Sequence, residues 1–211
     1  MSMLERKSSE QEQPNNQCEL AVPIGPEPEH KLCDTWCLYY DNPMDLPRNP
    51  TDEQYKQNLK KVYVFDTLEQ FWRLYNNIKA VEEMSGCNFH LFRNGVSPTW
   101  EDPFNERGGK WVCQVGISND LWMRTILSVI GGLFGEYQDH VCGAVAALKK
   151  SKKRDRLSLW LKDVSDREAC MAIGRKWKDI CRELGKIEFL PHQVAQKAKS
   201  SYFSESKYMI N

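Results

Sequence analysis

The segment from Val141 to Lys162 sets the tightest limit on how this chain folds. Residues 141–148 and 157–162 both read as strands, and only the short run from Lys149 to Arg156 separates them. A gap of that length closes a hairpin but cannot hold the crossover helix that parallel neighbours need, so an all-parallel sheet is excluded. Leu32, Trp36, Leu38 and Tyr40 alternate with polar neighbours as a half-buried strand does, and further strands read at 61–65, 88–92, 110–115 and 186–190. Residues 41–51, with three prolines, read as a loop. Three helical stretches are interleaved. The first starts at Thr67, with Gln70 as capping-box partner, and runs through Phe71, Trp72 and Tyr75 to Ile78. A second follows Asn119 or Asp120, sets Trp122, Ile126, Ile130 and Leu133 on one face and leaves Met123 and Leu127 off it. The third starts at Ser165 with Glu168 and repeats Ala169, Ile173, Trp177, Ile180 and Leu184 before Gly185. An antiparallel sheet backed by three helices is the expected architecture.

Length and composition fit one domain with a real core: 211 residues, 41% hydrophobic and 11% aromatic. Residues 1–28 carry almost no large apolar side chains and are expected to form a disordered arm, with a single domain over 29–211. Basic and acidic residues balance at 29 each. Arg6, Lys7 and six acids precede residue 31, which leaves the remainder mildly basic at 27 against 23. Any nucleic-acid contact must therefore be local. Neither a membrane span nor a signal peptide is evident, so a soluble, cytoplasmic, monomeric protein is expected. The eight cysteines sit largely in apolar or periodic segments and are expected as buried thiols; Cys33 and Cys37 have no second pair to complete a zinc site. No metal and no catalytic residues are expected, because the hydrolase, metalloprotease, P-loop and dinucleotide motifs are missing and the four histidines occupy unrelated contexts.

The chemistry lies in aromatic residues set beside charges. Trp100 and Glu101 stand in the turn-rich stretch 98–103, where a tryptophan offers a stacking face and the adjacent carboxylate can accept two N–H groups from one edge of a guanine. The basic run Lys149, Lys150, Lys152, Lys153, Arg154 and Arg156 forms the tip of the 141–162 hairpin, where Lys149 and Arg156 flank the turn and are expected to face one concavity. Stacking face, carboxylate and cations together describe a nucleotide site.

Residues 30 to about 195 resemble the eukaryotic translation initiation factor 4E family, which binds the 7-methylguanosine cap of messenger RNA. The matching stretches include FDTLEQFWRLYNNI (65–78), FHLFRNGVSPTWEDP (89–103), ERGGKW (106–111), VCGAV (141–145) and SLWL (158–161). The resemblance implies an α+β fold, a strongly curved antiparallel sheet of about eight strands with three helices on its convex face. It also implies a non-enzymatic factor whose ligand is the cap, or 7-methyl-GTP, with no cofactor. By motif, Trp100 matches a base-stacking aromatic, Glu101 the guanine-binding carboxylate, Trp160 the residue at the N7-methyl group, and Lys110, Lys149 and Arg156 the phosphate contacts. Arg154 is a looser candidate of the same kind. Tyr55 stands where the family normally stacks a second tryptophan.

On the opposite face, Trp72 matches the tryptophan that receives 4G-type scaffolds and 4E-binding regulators carrying Tyr-x-x-x-x-Leu-apolar helices, with His30, Leu68, Met123 and Leu127 around it. Arg124 replaces an acid that pairs with a basic residue of that motif, and Gly132 replaces another. Such a reversal is expected to alter partner choice. Tyr55 and Arg124 favour a translational repressor as the alternative role, and the retained Trp36 opposes it.

Overall fold

The computed structural model describes residues 29–151, 154–197 and 206–211. The arm at 1–28, Cys18, Lys152 and Lys153 lie outside the described residues. Eight strands build one curved sheet: β1 (Lys31–Asp41), β2 (Lys60–Thr67), β3 (Asn88–Arg93), β4 (Gly109–Gln114), β5 (Val141–Ala147), β6 (Arg156–Leu161), β7 (Ile187–Pro191) and β8 (Tyr208–Ile210). Their order is β2-β1-β3-β5-β6-β4-β7-β8, and every pairing is antiparallel. The β5–β6 hairpin pairs Ala147 with Arg156, as the short gap between them requires. β8 was not legible beforehand, since three residues are too few to show alternation; it is held by the Tyr208 ring stacked on Phe189 at 5.7 Å.

Among the described residues, five α-helices accompany the sheet: α1 (Asp52–Asn58), α2 (Leu68–Tyr75), α3 (Asn119–Ile130), α4 (Arg167–Ile180) and α5 (His192–Lys197). α2, α3 and α4 are the three expected, with α2 against β2, α3 across β5 and β1, and α4 against α3. The caps of α3 and α4 differ from expectation by a residue or two. Thr67 does cap α2, accepting from the Gln70 N–H, but the Gln70 side chain accepts from Asp66 rather than from Thr67. Ser118, not Asn119 or Asp120, caps α3. Asp166 caps α4, because Ser165 is turned back to donate twice to Asp163. A complete capping box does form between Thr51 and Gln54, and it starts α1 directly after the proline-rich loop.

Strand alternation splits the interior in two. On β3, Phe89 and Leu91 join the large core under the helices, whereas Phe92 joins a smaller cluster on the concave side with Val145 and Trp160. Trp36, Trp111, Trp122 and Trp177 are buried in the large core, so four of the seven tryptophans serve packing. Leu133 does not stay on the buried face of α3: the helix ends at Ile130, Gly132 takes φ 68°, and the leucine is left 49% exposed. Cys33 is exposed, contrary to expectation, while the six other described cysteines are buried.

Candidate functional site

The concave face of the sheet holds a cleft of about 750 Å³, and Tyr55, Trp100, Glu101, Lys110, Lys149, Arg156 and Trp160 all line it. Residues scattered over a hundred positions thus converge, and the local reason for each is visible. Trp100 and Glu101 sit on a loop pinned from inside. Asp102 accepts from the Ser97 N–H at 2.7 Å and the Phe104 N–H at 2.9 Å, and the buried Asn105 amide donates to the Ser97 and Thr99 carbonyls, both at 2.8 Å. Asn105 lies outside the stretch that carries the motif, and sequence reasoning passed over it. Trp100 is half-buried and Glu101 exposed, so a flat face and a carboxylate edge are presented together.

Tyr55 reaches the cleft from α1. The end of that helix is tied to the end of β1 by the Asn58 amide, which donates to the Asn42 carbonyl at 3.0 Å. Burial, with Asp41 and Glu101 nearby, holds the Tyr55 phenol above its ordinary range, so it faces the cleft as a neutral ring. Trp160 forms the back wall. The Phe92 ring meets it edge-on at 5.3 Å, and His192 packs against it at 4.2 Å. His192 is buried, and burial with Lys110 close by drives its imidazole well below the usual histidine range, leaving it neutral.

Four cationic side chains line the cleft: the expected Lys110, Lys149 and Arg156, and Lys56 of α1, which sequence reasoning missed. Lys110 is 8% exposed, with its Nζ 5.5 Å from the Trp160 ring centre and 6.0 Å from that of Trp100. Burial, reinforced by Arg156, pushes its ammonium down to about 8. Lys149 and Arg156 project from the hairpin, whose base is fastened by the buried Asp155: one carboxylate oxygen accepts from the Lys149 N–H at 2.6 Å, the other from the Ile117 N–H at 3.4 Å. Arg154 departs from expectation. It lies in the hairpin turn, its N–H bonded to the Ser151 carbonyl, exposed and outside the cleft walls. The floor carries a polar group that sequence reasoning missed. The buried Asp41 accepts from Asn88 Nδ2 at 2.9 Å and bonds His90 Nε2 at 2.5 Å, and both Asn88 and His90 line the cleft.

The convex side gathers the other six expected residues around α2 and α3. Leu68 donates its N–H to the His30 carbonyl, and His30 Nδ1 bonds Glu69 at 2.6 Å, which fastens the start of β1 to the start of α2. Trp72 is 37% exposed, with Phe71, a core residue, and Tyr75 holding its ring edge-on at 5.1 and 6.2 Å. Tyr75 and Met123 line a second cleft, of about 310 Å³, and Met123 and Leu127 are half-buried against the core. Arg124 does not project as a bare positive charge, because it is bonded to both Asp120 and Glu183. Asp120 and Glu183 offset the guanidinium charge locally. Gly132 follows from its left-handed backbone, which an acid would adopt only with strain.

Fold and cleft together define a domain cupped around an aromatic and charged cleft, with a separate, partly exposed apolar face behind it. The chain belongs to the eukaryotic initiation factor 4E family, whose model matches residues 31–207. It is 34% identical over 182 residues to eukaryotic translation initiation factor 4E-1 of Zea mays, covering 85% of this chain and 81% of that one. Identity to the factor isoform 4E of Capsicum annuum is 36% over 185 residues, 86% and 87% of the two chains. Among solved structures, C. elegans eIF4E-3, in complex with the 4E-binding protein Mextli and a cap analog, superposes with a TM-score of 0.76 at 28% identity, covering 87% of this chain and 100% of that one. Among the described residues, no helix is long and apolar enough to cross a membrane.

Proposed function

We propose that this protein binds the 7-methylguanosine cap of messenger RNA in the concave cleft, in the cytoplasm, and recruits a scaffold protein for translation initiation through the Trp72 face. The observation that carries this reading is the convergence of three aromatic residues, one exposed carboxylate and four cations in a single cleft. The base stacks between Tyr55 and Trp100, and Glu101 accepts hydrogen bonds from its N1 and N2 edge. N7 methylation gives the base a delocalised positive charge, which strengthens its contact with the electron-rich rings, Trp160 among them. Lys110, Lys149 and Arg156 take the phosphates. The exposed Trp72, beside the half-buried Leu68, Met123 and Leu127, suits the apolar stripe of an amphipathic partner helix.

The carboxylates support binding without turnover. Metal-assisted hydrolysis of a cap needs clustered acids to hold metal and activate water, and Asp102, the neighbour of Glu101, is engaged by two backbone N–H groups. Retention on immobilised 7-methyl-GTP tests the reading. The wild-type chain is expected to be retained and released by free 7-methyl-GTP but not by GTP, and Trp100→Ala and Glu101→Ala to flow through while remaining folded. Retention of either variant at wild-type level would overturn the site assignment.

A further inference from the structure

The open face of α3 does not stop where the helix stops. From Leu121 to Gly131 every residue is buried except Met123, Arg124, Leu127 and Gly131. At about 100° per residue these four fall on one stripe, with Gly131 one turn beyond Leu127. Gly131 is exposed and brings no side chain to its place. A Cβ built on it would lie 3.9 Å from Leu133 Cγ, so the leucine covers that position instead.

The backbone fixes the turn that brings Leu133 back. Gly132 takes φ 68°, its N–H donates to the Val129 carbonyl at 3.5 Å, and the Leu133 N–H donates to the Ser128 carbonyl at 3.1 Å. These are the paired bonds of a glycine C-cap, in which the residue after the left-handed glycine folds against the last turn of the helix. Leu133 nevertheless stays 49% exposed. A single exposed leucine is ordinary on a protein surface. This one continues the α3 side of the face that holds Met123 and Leu127, opposite the exposed Trp72 of α2, and residues 125–135 carry no charged side chain. The charges of α3 on this face, Arg124 with its partner Asp120, lie toward the other end of the helix. A partner residue that reaches the glycine end meets apolar surface, and it gains most if it is apolar itself.

From this, resting on the docking reading above, we infer that Leu133, folded over Gly131, extends the docking face past the end of α3 and makes this protein selective for partner helices with an additional apolar residue one turn outside the Tyr-x-x-x-x-Leu-apolar motif.

Fluorescence anisotropy with three labelled synthetic helical peptides tests this. All three carry the motif; one has alanine a turn before and a turn after it, the second has leucine at the leading position, and the third has leucine at the trailing one. One leucine peptide is expected to bind the wild-type chain about threefold to tenfold more tightly than the alanine peptide, and to lose that gain in Leu133→Ser. No gain from either leucine, or a gain of wild-type size in folded Leu133→Ser, would overturn this inference alone, provided the alanine peptide prefers wild type to Trp72→Ala. An alanine peptide that binds wild type and Trp72→Ala equally, or binds neither, would overturn the docking reading and this inference with it. Leu133→Ala reads the same contact should Leu133→Ser fail to fold.

Discussion

Lys110 shows how strongly one side chain can be shaped by its surroundings. Its ammonium stands over two tryptophan rings and beside Arg156, and burial first, then that neighbouring charge, pushes it down to about 8. The protonated form attracts phosphate and the neutral form does not, so the charge is mostly present at pH 7 and mostly lost at pH 9. Affinity for 7-methyl-GTP should therefore fall by up to about tenfold more across this range in wild type than in Lys110→Arg, whose guanidinium stays charged. Parallel pH titrations of the two proteins check this, and identical slopes would count against a phosphate role for Lys110. The site residues were legible because each belongs to a short stretch of chain with a chemical signature: Trp100 beside Glu101, Lys110 before Trp111, Lys149 and Arg156 across a hairpin. Asp41 and His90 were not, since the pair is made between strands 49 positions apart and neither residue alone signals anything.

Among the elements, α4 reads most clearly as an amphipathic helix, yet its tightest contact is made at a glycine. A Cβ on Gly174 would fall 2.4 Å from Trp111 Cε2. That ring cannot withdraw, because its indole N–H donates to the Cys170 carbonyl at 2.9 Å and its other side packs on Phe189 at 5.2 Å. Alanine normally stabilises a helix relative to glycine. Here the sign is reversed, and Gly174→Ala should cost about 1–3 kcal/mol, with a melting temperature lower by about 2–4 °C for each kcal/mol. Gly185→Ala, where an added Cβ meets nothing within 4 Å, is the matched control in the same thermal melts. Elements of five or more residues with a clear period were readable in advance. The α4 cap moved by one residue because Ser165 and Asp166 compete for the same role, and a side-chain hydrogen bond to Asp163 decides between them.

At the scale of the whole molecule, a chain with balanced charge gathers cations and aromatic faces in one cleft. Charge and stacking give binding two distinguishable components. Lys149→Ala and Arg156→Ala should weaken 7-methyl-GTP more than 7-methyl-GMP, and each should reduce the salt slope of log affinity by about one. Equal losses for both ligands would contradict the phosphate assignment. The other component, stacking of a cationic base, tests the account most directly. Titration with 7-methyl-GTP and with GTP, at one salt concentration and following tryptophan fluorescence, should show quenching with at least about tenfold preference for the methylated ligand. Equal affinity for the two, or no quenching by either, would contradict cap binding in this cleft.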